Sequence, residues 1–302
     1  MNIVHCKLPA AGLGNQLFPL MKACVFATIN DFPLIVTNYH QVKIGPYWRR
    51  EKSKRKYNHY FTFQKPLLAE SFEKLRIYLN SKSHEVIEDP ELAVVKETGK
   101  KNIIYRFGNI PHWSNYFGEL KEHRQLVISL LKQLVTPQVL RQADRQQSPE
   151  IGVHIRMGDF RKLLSGEDFS KLGTVRTPSD YFIEVIGQLR AVCGSKTSVS
   201  VFSDGHKKEL DKVLQLPDTR LVEGNSDLAD MLLLSRSKII VTSAGSTFGY
   251  WSGFLSDAPV IMHPDHLHGS IRDRIETPDL YEGPLDSSAI SFLKGIYQPS
   301  QL

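Results

Sequence analysis

The sequence predicts an α/β protein with two parallel-sheet domains, and three observations lead to this fold class. Short apolar segments that are typical of buried strands alternate with helical segments, an order that forms parallel sheets covered by helices. The chain of 302 residues is about twice the length of a common domain. A polar stretch at Gln142–Pro149 is typical of a linker. We therefore expect an N-terminal domain over residues 1–148 and a C-terminal domain over residues 149–302.

The N-terminal half begins with one strand–helix–strand unit. We predict a strand at Ile3–Leu8, a glycine-containing turn at Ala11–Gly14, and a helix at Asn15–Asn30 that Asn15 caps. A second strand is predicted at Leu34–Thr37. The helix is predicted because apolar residues recur at helical spacing, at Leu17, Leu20, Met21 and Cys24. Residues 40–125 mix basic, aromatic and helical stretches, and we predict no order of elements there.

The C-terminal half resumes the alternation with a strand at Ile151–Ile155. Thr177–Asp180 resembles a capping box with proline at the first helical position, and it predicts the start of a helix. The later predicted elements are a strand at Ser198–Ser203, a short strand near Arg220–Val222, a helix from Ser226, a strand at Lys238–Thr242, a helix from about Thr247 and a strand at Val260–Met262. Ligands of such sheets bind beyond the carboxyl ends of the strands, so the loops there are the candidate sites.

Composition and charge exclude several classes of protein. No apolar run approaches the roughly 18 residues of a membrane-spanning helix, and the N-terminus lacks the pattern of a secretory signal. The three cysteines, Cys6, Cys24 and Cys193, are too few and too scattered for a disulfide framework or a zinc site, so we expect a cytoplasmic protein. A net charge of +6 and a pI near 9.1 favour anionic partners: nucleic acid, acidic lipid or a phosphorylated small molecule.

The first candidate loop is GLGNQLF at Gly12–Phe18. Gly12 and Gly14 let the backbone approach a ligand closely, and the N-terminus of the following helix favours negative charge. The alternative is an ordinary tight turn. The dinucleotide-binding fingerprint requires a third glycine where Leu17 stands, so NAD binding is not supported.

The second candidate loop is HIRMGDF at His154–Phe160. His154 and Arg156 point to the same side of a strand. An arginine at the carboxyl end of a strand, with Asp159 close enough to orient it, suits bidentate contact with a phosphate. The alternative is a salt bridge between Arg156 and Asp159 that only fixes the loop.

The third candidate loop, Ser243–Trp251, leads small and hydroxylic residues into a helix. Free backbone N–H groups and the hydroxyls of Ser246 and Thr247 would converge there on an anion, although ordinary helix capping is the alternative. Asp204 follows a further strand and is a candidate for binding a base or a ribose, or else an exposed turn residue.

Together these segments resemble the fucosyltransferases of GT-B architecture, and they are most similar to the α-1,2-fucosyltransferases of glycosyltransferase family 11. That family carries GLGNQLF at the start, HxRRGDY in mid-chain, then FSDD and then SNSTFSWW. The corresponding segments here are GLGNQLF at Gly12–Phe18, HIRMGDF at His154–Phe160, FSDG at Phe202–Gly205 and AGSTFGYW at Ala244–Trp251. Their order and spacing agree over roughly residues 1–262.

Three positions depart from the family pattern. Met157 replaces the second arginine, as in the protein O-fucosyltransferases, Gly205 replaces the second aspartate, and Gly245 replaces an asparagine. The first arginine is present as Arg156. The departures therefore bear on the identity of the acceptor, and not on donor binding.

The resemblance implies two Rossmann-like domains that face a cleft, with the donor bound by the C-terminal domain, whose last helix could pack back on the first domain. It implies transfer of fucose from GDP-fucose to a terminal galactose hydroxyl of a glycan or lipid-linked oligosaccharide, in α-1,2 linkage and with inversion. Transfer to a protein hydroxyl or another sugar, and a non-catalytic nucleotide- or glycan-binding role, remain open. No Asp-x-Asp pair is present to hold a metal, so we expect no cofactor and no metal.

The resemblance also implies a role for each candidate residue. Arg156 and the helix N-terminus at Ser246, Thr247 and Phe248 would stabilise the diphosphate, and Asp159 would orient the loop that carries Arg156. His154 and Asp204 would contact the guanosine. The remaining donor-binding candidates, in the first domain, are Gly12, Gly14 and Asn15. The base that deprotonates the acceptor is not assigned.

Two further segments carry alternatives. His263–His268 offers imidazoles and a carboxylate that could bind a metal, but a polar surface loop is the favoured interpretation. A basic stretch could contact anionic lipid at the inner membrane face or a lipid-linked acceptor, or be a solvated loop. Nucleic-acid binding is not expected, because no stacking platform or reading motif accompanies it. The stretch consists of Arg49, Arg50, Lys52, Lys54, Arg55 and Lys56.

Overall fold

The structure is a computed structural model that describes residues 2–39, 41, 45–48, 55–62, 85–95, 102–267, 269–275 and 277–298. The described residues form two compact units. The first contains those of Met1–Lys43 and Arg55–Pro137, and the second those of Ile44–Lys54 and Gln138–Leu302, so residues 138–148 group with the second unit. Each unit contains one parallel sheet, which confirms the predicted α/β class with two parallel sheets.

The first unit has a four-stranded sheet in the order β2-β1-β4-β3. Its described strands are β1 at Ile3–Lys7, β2 at Leu34–Thr37, β3 at Glu85–Glu88 and β4 at Ile103–Phe107. Its described helices are α1 at Leu13–Asn30 and α3 at Arg124–Leu134, while the short α2 at Gly45–Trp48 and most of α4 at Pro137–Asp144 group with the second unit. All paired strands run parallel.

Helix α1 begins two residues earlier than predicted. The N-cap residue is Gly12, which has no side chain to cap the helix. The prediction that Asn15 caps the helix is therefore wrong. The glycine loop already adopts helical backbone at Leu13, which places Asn15 inside the first turn. The helix covers the sheet with its apolar side: the Phe26 ring lies 4.9 Å from Tyr105 and 5.5 Å from Phe107 of β4.

The second unit has a six-stranded sheet in the order β10-β9-β8-β5-β6-β7, with all pairs parallel. Its strands are β5 at Ile151–Ile155, β6 at Val199–Ser203, β7 at Thr219–Leu221, β8 at Ile239–Val241, β9 at Val260–Ile261 and β10 at Glu282–Gly283. Its further helices are α5 at Ser179–Cys193, α6 at Asp211–Leu214, α7 at Asp227–Leu234, α8 at Thr247–Phe254 and α9 at Ser287–Tyr297. The elements predicted for this half are confirmed to within two residues.

The start of α5 differs from the prediction. Pro178 is its N-cap residue, and no side chain caps the helix, so the capping box predicted at Thr177–Asp180 is wrong. The Thr177 hydroxyl instead accepts a hydrogen bond from the Ala244 N–H at 3.0 Å. Thr177, which the local pattern predicts to cap α5, therefore connects the segment before α5 to the loop after β8.

Helix α9 packs on α5 of its own unit. Leu293 is buried in the same apolar cluster as Leu189 and Val192, and the Gln298 side-chain amide donates to the Val192 carbonyl at 2.6 Å. None of the helices in the described part of the chain has the length and apolar character that crossing a membrane requires.

A buried ion pair fixes the edge of this sheet. Arg272 is fully buried, and its Nε donates to Glu282 of β10 at 3.3 Å. The same guanidinium donates to the carbonyls of Ser256, Ala258 and Tyr281 at 3.0, 2.8 and 2.8 Å. The Glu282 carboxylate also accepts from the Ile271 N–H at 3.1 Å, so the pair joins three loops.

We expect Arg272→Met to lower the free energy of unfolding by about 3–5 kcal/mol, because it removes the buried partner of the Glu282 carboxylate and the donor to three carbonyls. Arg274 also contacts Glu282 at 3.5 Å, but its side chain is 55% exposed, against 1% for Arg272. Arg274→Met should therefore cost less than about 1 kcal/mol. Urea unfolding of both variants measures the difference, and equal costs would contradict the assigned role of burial.

Candidate active site

The candidate residues of the second unit lie where its central strands end. Strand β5 pairs with β6 on one side and with β8 on the other. Because all three are parallel, the loops that follow them meet at one edge of the sheet. This edge brings together Arg156 after β5, Asp204 after β6 and Ser246 after β8.

Arg156 is fixed through both its backbone and its side chain. Its N–H donates to the Ser243 hydroxyl at 2.8 Å, and that hydroxyl donates to the His154 carbonyl at 3.0 Å. In the guanidinium, Nη1 donates to Asp204 and Nη2 donates to Asp159 at 2.6 Å. The predicted contact of Arg156 with Asp159 is present, and Asp204 adds a second carboxylate to it.

Asp204 holds the loop that carries Arg156. One carboxylate oxygen accepts from the N–H groups of Met157 and Gly158 at 2.8 and 3.2 Å, while the other accepts from the Arg156 guanidinium. Both oxygens therefore accept hydrogen bonds from the loop after β5. The predicted contact of Asp204 with a guanosine remains a prediction, and its contact with Arg156 is one that sequence reasoning missed.

The loop after β8 presents the N-terminus of α8. Ser246 is the N-cap residue and makes no side-chain cap bond, so capping does not engage its hydroxyl. The first N–H groups of a helix lack partners within the helix and favour an anion. Gly245 has φ of 66° and its N–H donates to the Tyr250 hydroxyl at 2.8 Å. Glycine and asparagine are the residues that adopt this left-handed backbone most readily, so the departure at Gly245 preserves the turn.

His154 lies beneath this helix N-terminus. Its ring is buried and stacks on Phe248, with ring centroids 4.8 Å apart and planes at 25°. Burial, with a smaller contribution from the Arg156 charge, lowers the pKa of His154 from 6.5 to about 3. The Nδ1 atom is buried and makes no hydrogen bond to the described residues. His154 is therefore a neutral support for Phe248 at neutral pH, and its contact with a guanosine remains a prediction.

The depressed pKa of His154 predicts acid sensitivity. The unfolded chain binds a proton near pH 6.5 and the folded chain only near pH 3, so stability is complete above pH 6.5 and declines as the pH falls towards 3. Lowering the pH from 7 to 5 should therefore reduce the free energy of unfolding by about 2 kcal/mol through His154. In urea unfolding, the wild type should lose this additional stability between pH 7 and pH 5. The His154→Phe variant, which keeps a ring against Phe248 but has no group that titrates there, should not. Parallel pH profiles would contradict the prediction.

Two of the departures from the family pattern touch each other. A Cβ atom at Gly205 would lie 2.6 Å from Cγ and 2.8 Å from Cβ of Met157. The Met157 side chain is buried in the apolar cluster beside Ile155 and Leu210. An apolar side chain over a glycine therefore stands where the family has an arginine and an aspartate, and the close approach brings Asp204 to the loop after β5.

We expect Gly205→Ala to lower the free energy of unfolding by about 1–3 kcal/mol, because its methyl group overlaps the Cβ and Cγ atoms of Met157, which have to shift. Gly187→Ala is the matched control, since nothing lies within 4 Å of a Cβ at this position of α5. That control should gain about 0.4–1 kcal/mol, since alanine restricts the unfolded chain. Thermal or urea unfolding measures both, and a neutral Gly205→Ala would contradict the packing argument.

The first-unit candidates lie at the N-terminus of α1. Gly12 precedes the helix, and Gly14 and Asn15 occupy its first turn. The Gln16 amide donates to the carbonyls of Pro9 and Ala11 at 3.0 and 3.3 Å, which turns these acceptors inward. The Asn15 Oδ1 atom is buried and has no hydrogen-bond partner among the described residues. Contact of Gly12, Gly14 and Asn15 with a diphosphate remains a prediction.

The histidine-rich segment is engaged within the protein. The His263 Nδ1 accepts from the Asp265 N–H at 3.2 Å, and the His266 Nε2 lies 2.9 Å from the Phe169 carbonyl. His268 lies outside the described residues. Among the described residues, no group of three or more His, Cys, Asp or Glu side chains is arranged to hold a metal ion.

The basic stretch is described only in part. Arg55 and Lys56 are described, and Arg49, Arg50, Lys52 and Lys54 lie outside the described residues. Before the stretch, Tyr47 and Trp48 end helix α2 with 47% and 88% of their surfaces exposed. Two exposed aromatic side chains thus precede the six basic residues in sequence.

Comparison with known proteins assigns the family. Residues 61–263 match the model of glycosyl transferase family 11, a match that spans more than half of the chain. The chain therefore belongs to glycosyltransferase family 11. The comparison with curated protein sequences found no match.

Solved structures show the fold type. NodZ α-1,6-fucosyltransferase co-crystallised with GDP is 16% identical, with a TM-score of 0.54 over 87% of this chain and 95% of NodZ. POFUT1 in complex with GDP is 16% identical, with a TM-score of 0.49 over 86% and 98% of the two chains. A mutant of Arabidopsis thaliana FUT1 in complex with GDP is 14% identical, with a TM-score of 0.46 over 87% and 70%. The likeness to NodZ confirms the predicted GT-B fold type.

Proposed function

We propose that this glycosyltransferase moves fucose from GDP-fucose to a hydroxyl group of a sugar acceptor. The observation that carries the proposal is the placement of Arg156 at the end of a central strand, on an edge shared with the N-terminus of α8. A guanidinium and a helix N-terminus together suit a diphosphate. Membership of family 11 supports glycosyl transfer, and the fold shared with NodZ, a fucosyltransferase crystallised with GDP, supports the choice of donor.

The chemistry assigns Arg156 a role in the transition state. The bond between the sugar carbon and the β-phosphate oxygen breaks, and its electron pair goes to that oxygen. The acceptor oxygen forms the new bond from the opposite face and loses its proton, so a single displacement inverts the sugar carbon. Arg156 and the N–H groups at Ser246–Phe248 would stabilise the charge that develops on the phosphate. We propose that no metal takes part, and the base remains unassigned.

We propose a terminal galactose hydroxyl and an α-1,2 linkage for the acceptor. The support is the likeness of the four sequence segments to the α-1,2-fucosyltransferases of the family. Because Met157, Gly205 and Gly245 depart from the pattern of those enzymes, two other acceptors are alternatives: a protein hydroxyl and a different sugar. A panel of acceptors discriminates among them.

We also propose a cytoplasmic enzyme that contacts the anionic inner face of a membrane. Arg49–Lys56 carries six basic residues, and the exposed Trp48 precedes it in the chain. Basic and aromatic residues together favour the surface of an anionic bilayer. Such contact would bring the enzyme to a lipid-linked acceptor.

The function is tested by transfer assays with GDP-fucose, GDP-mannose and UDP-galactose as donors and simple galactosides as acceptors, with and without EDTA. We expect transfer from GDP-fucose alone, unaffected by EDTA. Arg156→Lys keeps the charge but loses the planar fork, so turnover should fall on the order of a hundred- to a thousandfold.

Circular dichroism and urea unfolding identify variants that are folded. A folded and nearly fully active Arg156→Ala protein would falsify the site. Loss of activity with EDTA that manganese restores would refute metal independence. Binding of GDP-fucose without turnover on any acceptor would instead favour a non-catalytic nucleotide-binding protein.

A further inference from the structure

We infer that Thr177 and Tyr250 are positioning residues of the candidate active site, and that they hold the N-terminus of α8 in the shape that binds a diphosphate. Each acts through the backbone of the loop after β8. The Thr177 hydroxyl accepts from the Ala244 N–H, and the Tyr250 hydroxyl accepts from the Gly245 N–H. The inference rests on the proposed function and adds to it two side chains that have no assigned contact with the donor.

The backbone of this loop is only weakly held by its own hydrogen bond. The Ser246 N–H group bonds to the Ser243 carbonyl at 3.4 Å, which is longer than the typical N–H···O distance of about 2.9–3.0 Å. Between these residues Gly245 has a φ of 66°, a conformation that glycine enters and leaves without steric cost. No described atom lies within 4 Å of a Cβ built at Gly245. The turn therefore depends on restraint from outside the loop backbone.

Two buried hydroxyl groups supply this restraint. Thr177 is 3% exposed, and its hydroxyl lies 3.0 Å from the Ala244 nitrogen. Tyr250 is fully buried, and its phenol oxygen lies 2.8 Å from the Gly245 nitrogen. One anchor belongs to the segment before α5 and the other to α8 itself, so two consecutive N–H groups of the loop are fixed from two different elements.

The two bonds determine which N–H groups can face a ligand. Those of Ala244 and Gly245 point at the hydroxyls. Those of Thr247 and Phe248 stand at the first two positions of α8 and have no acceptor within the helix. Their direction follows from the turn at Gly245, so an anion at this helix N-terminus would meet them in the right geometry only while the two anchors hold.

Thr177 also belongs to the framework that carries Arg156. Its neighbour Arg176 donates to the Phe160 carbonyl at 2.9 Å and to the Glu209 carboxylate at 2.7 Å. Phe160 lies in the loop after β5, which carries Arg156, and Glu209 lies in the segment after β6. The guanidinium and the helix N-terminus that are proposed to bind one diphosphate are therefore connected through Thr177.

Calorimetric titration of the whole chain with GDP tests the inference. Thr177→Val keeps the shape of the side chain and removes the acceptor of the Ala244 N–H. If the loop then has its binding shape for roughly a tenth to a third of the time, the Kd for GDP rises about three- to tenfold. Tyr250→Phe removes the other acceptor and should raise the Kd by a similar factor. Thr177→Ser keeps a hydroxyl and should restore the wild-type Kd.

Two smaller ligands distinguish positioning from a general loss of structure. Inorganic pyrophosphate carries only phosphates, so Thr177→Val should weaken its binding by the same factor as that of GDP. Guanosine carries no phosphate, and its Kd should be the same for the variant and the wild type. In transfer assays the KM for the donor should rise and kcat should fall, because the same N–H groups would stabilise the charge on the departing phosphate.

Tyr281→Phe is the matched control for Tyr250→Phe. It also removes a phenol hydroxyl that bonds to the backbone of the second unit, since the Tyr281 hydroxyl donates to the Pro284 carbonyl at 2.5 Å beside the edge strand β10. Its Kd for GDP should equal that of the wild type. A rise equal to that of Tyr250→Phe would show that the loss of any phenol hydrogen bond loosens this unit, and it would overturn the inference.

The outcomes separate this inference from the proposed function. Failure of the wild type to bind GDP would refute the proposed donor. Wild-type binding of GDP with an unchanged Kd in both Thr177→Val and Tyr250→Phe would overturn the inference and leave the proposed donor in place. Equal weakening of guanosine and GDP would also overturn it, because positioning acts on the phosphates alone. If Thr177→Val does not fold, Tyr250→Phe gives the same discrimination.

Discussion

The carboxylate of Asp204 joins the ends of two central strands, and the geometry of the candidate site depends on it. It accepts two backbone N–H groups of the loop after β5 and the guanidinium of Arg156. Without this acceptor the N–H groups of Met157 and Gly158 would lose their bond to the loop after β6, and the Arg156 guanidinium would lose one of its two carboxylate partners. The proposed contact with a diphosphate depends on this placement, because a guanidinium recognises phosphate through a planar fork.

The packing under the loop is matched to this interaction. Met157 enters the apolar core over Gly205, and the absence of a side chain at Gly205 lets the two loops approach. Two of the three residues that depart from the family pattern, Met157 and Gly205, are thus neighbours in space although 48 positions separate them in the chain. The change from a charged to an apolar pair lies beneath the backbone that presents Arg156. This change alters the packing that supports Arg156, and Arg156 itself is kept.

Strands β5, β6, β8 and β9 of the second unit could be predicted because each is a short, largely buried run of mostly apolar residues. Strand β3 could not, since Glu85–Glu88 is mostly exposed and lacks such a run. Capping was harder to predict, because the partner of a hydroxyl depends on tertiary structure: Thr177 bonds Ala244, which lies 67 residues away. In the site, the Arg156–Asp159 contact follows from a spacing of three residues. The Arg156–Asp204 contact requires the pairing of β5 with β6, which no local pattern encodes.

The ion pair of Arg272 and Glu282 has a consequence for synthesis on the ribosome. Arg272 is enclosed by carbonyls and by a carboxylate that lies ten residues later, and the core beneath α5 also needs Leu293. A nascent chain that contains Arg272 but not yet Glu282 would have to bury the guanidinium without its counter-charge. We therefore expect the second unit to complete its core only after Glu282 and Leu293 have emerged. The described strands of the first unit are complete at Phe107. We therefore expect the first unit to fold before the second during translation, so that the half that carries Arg156 is the later one.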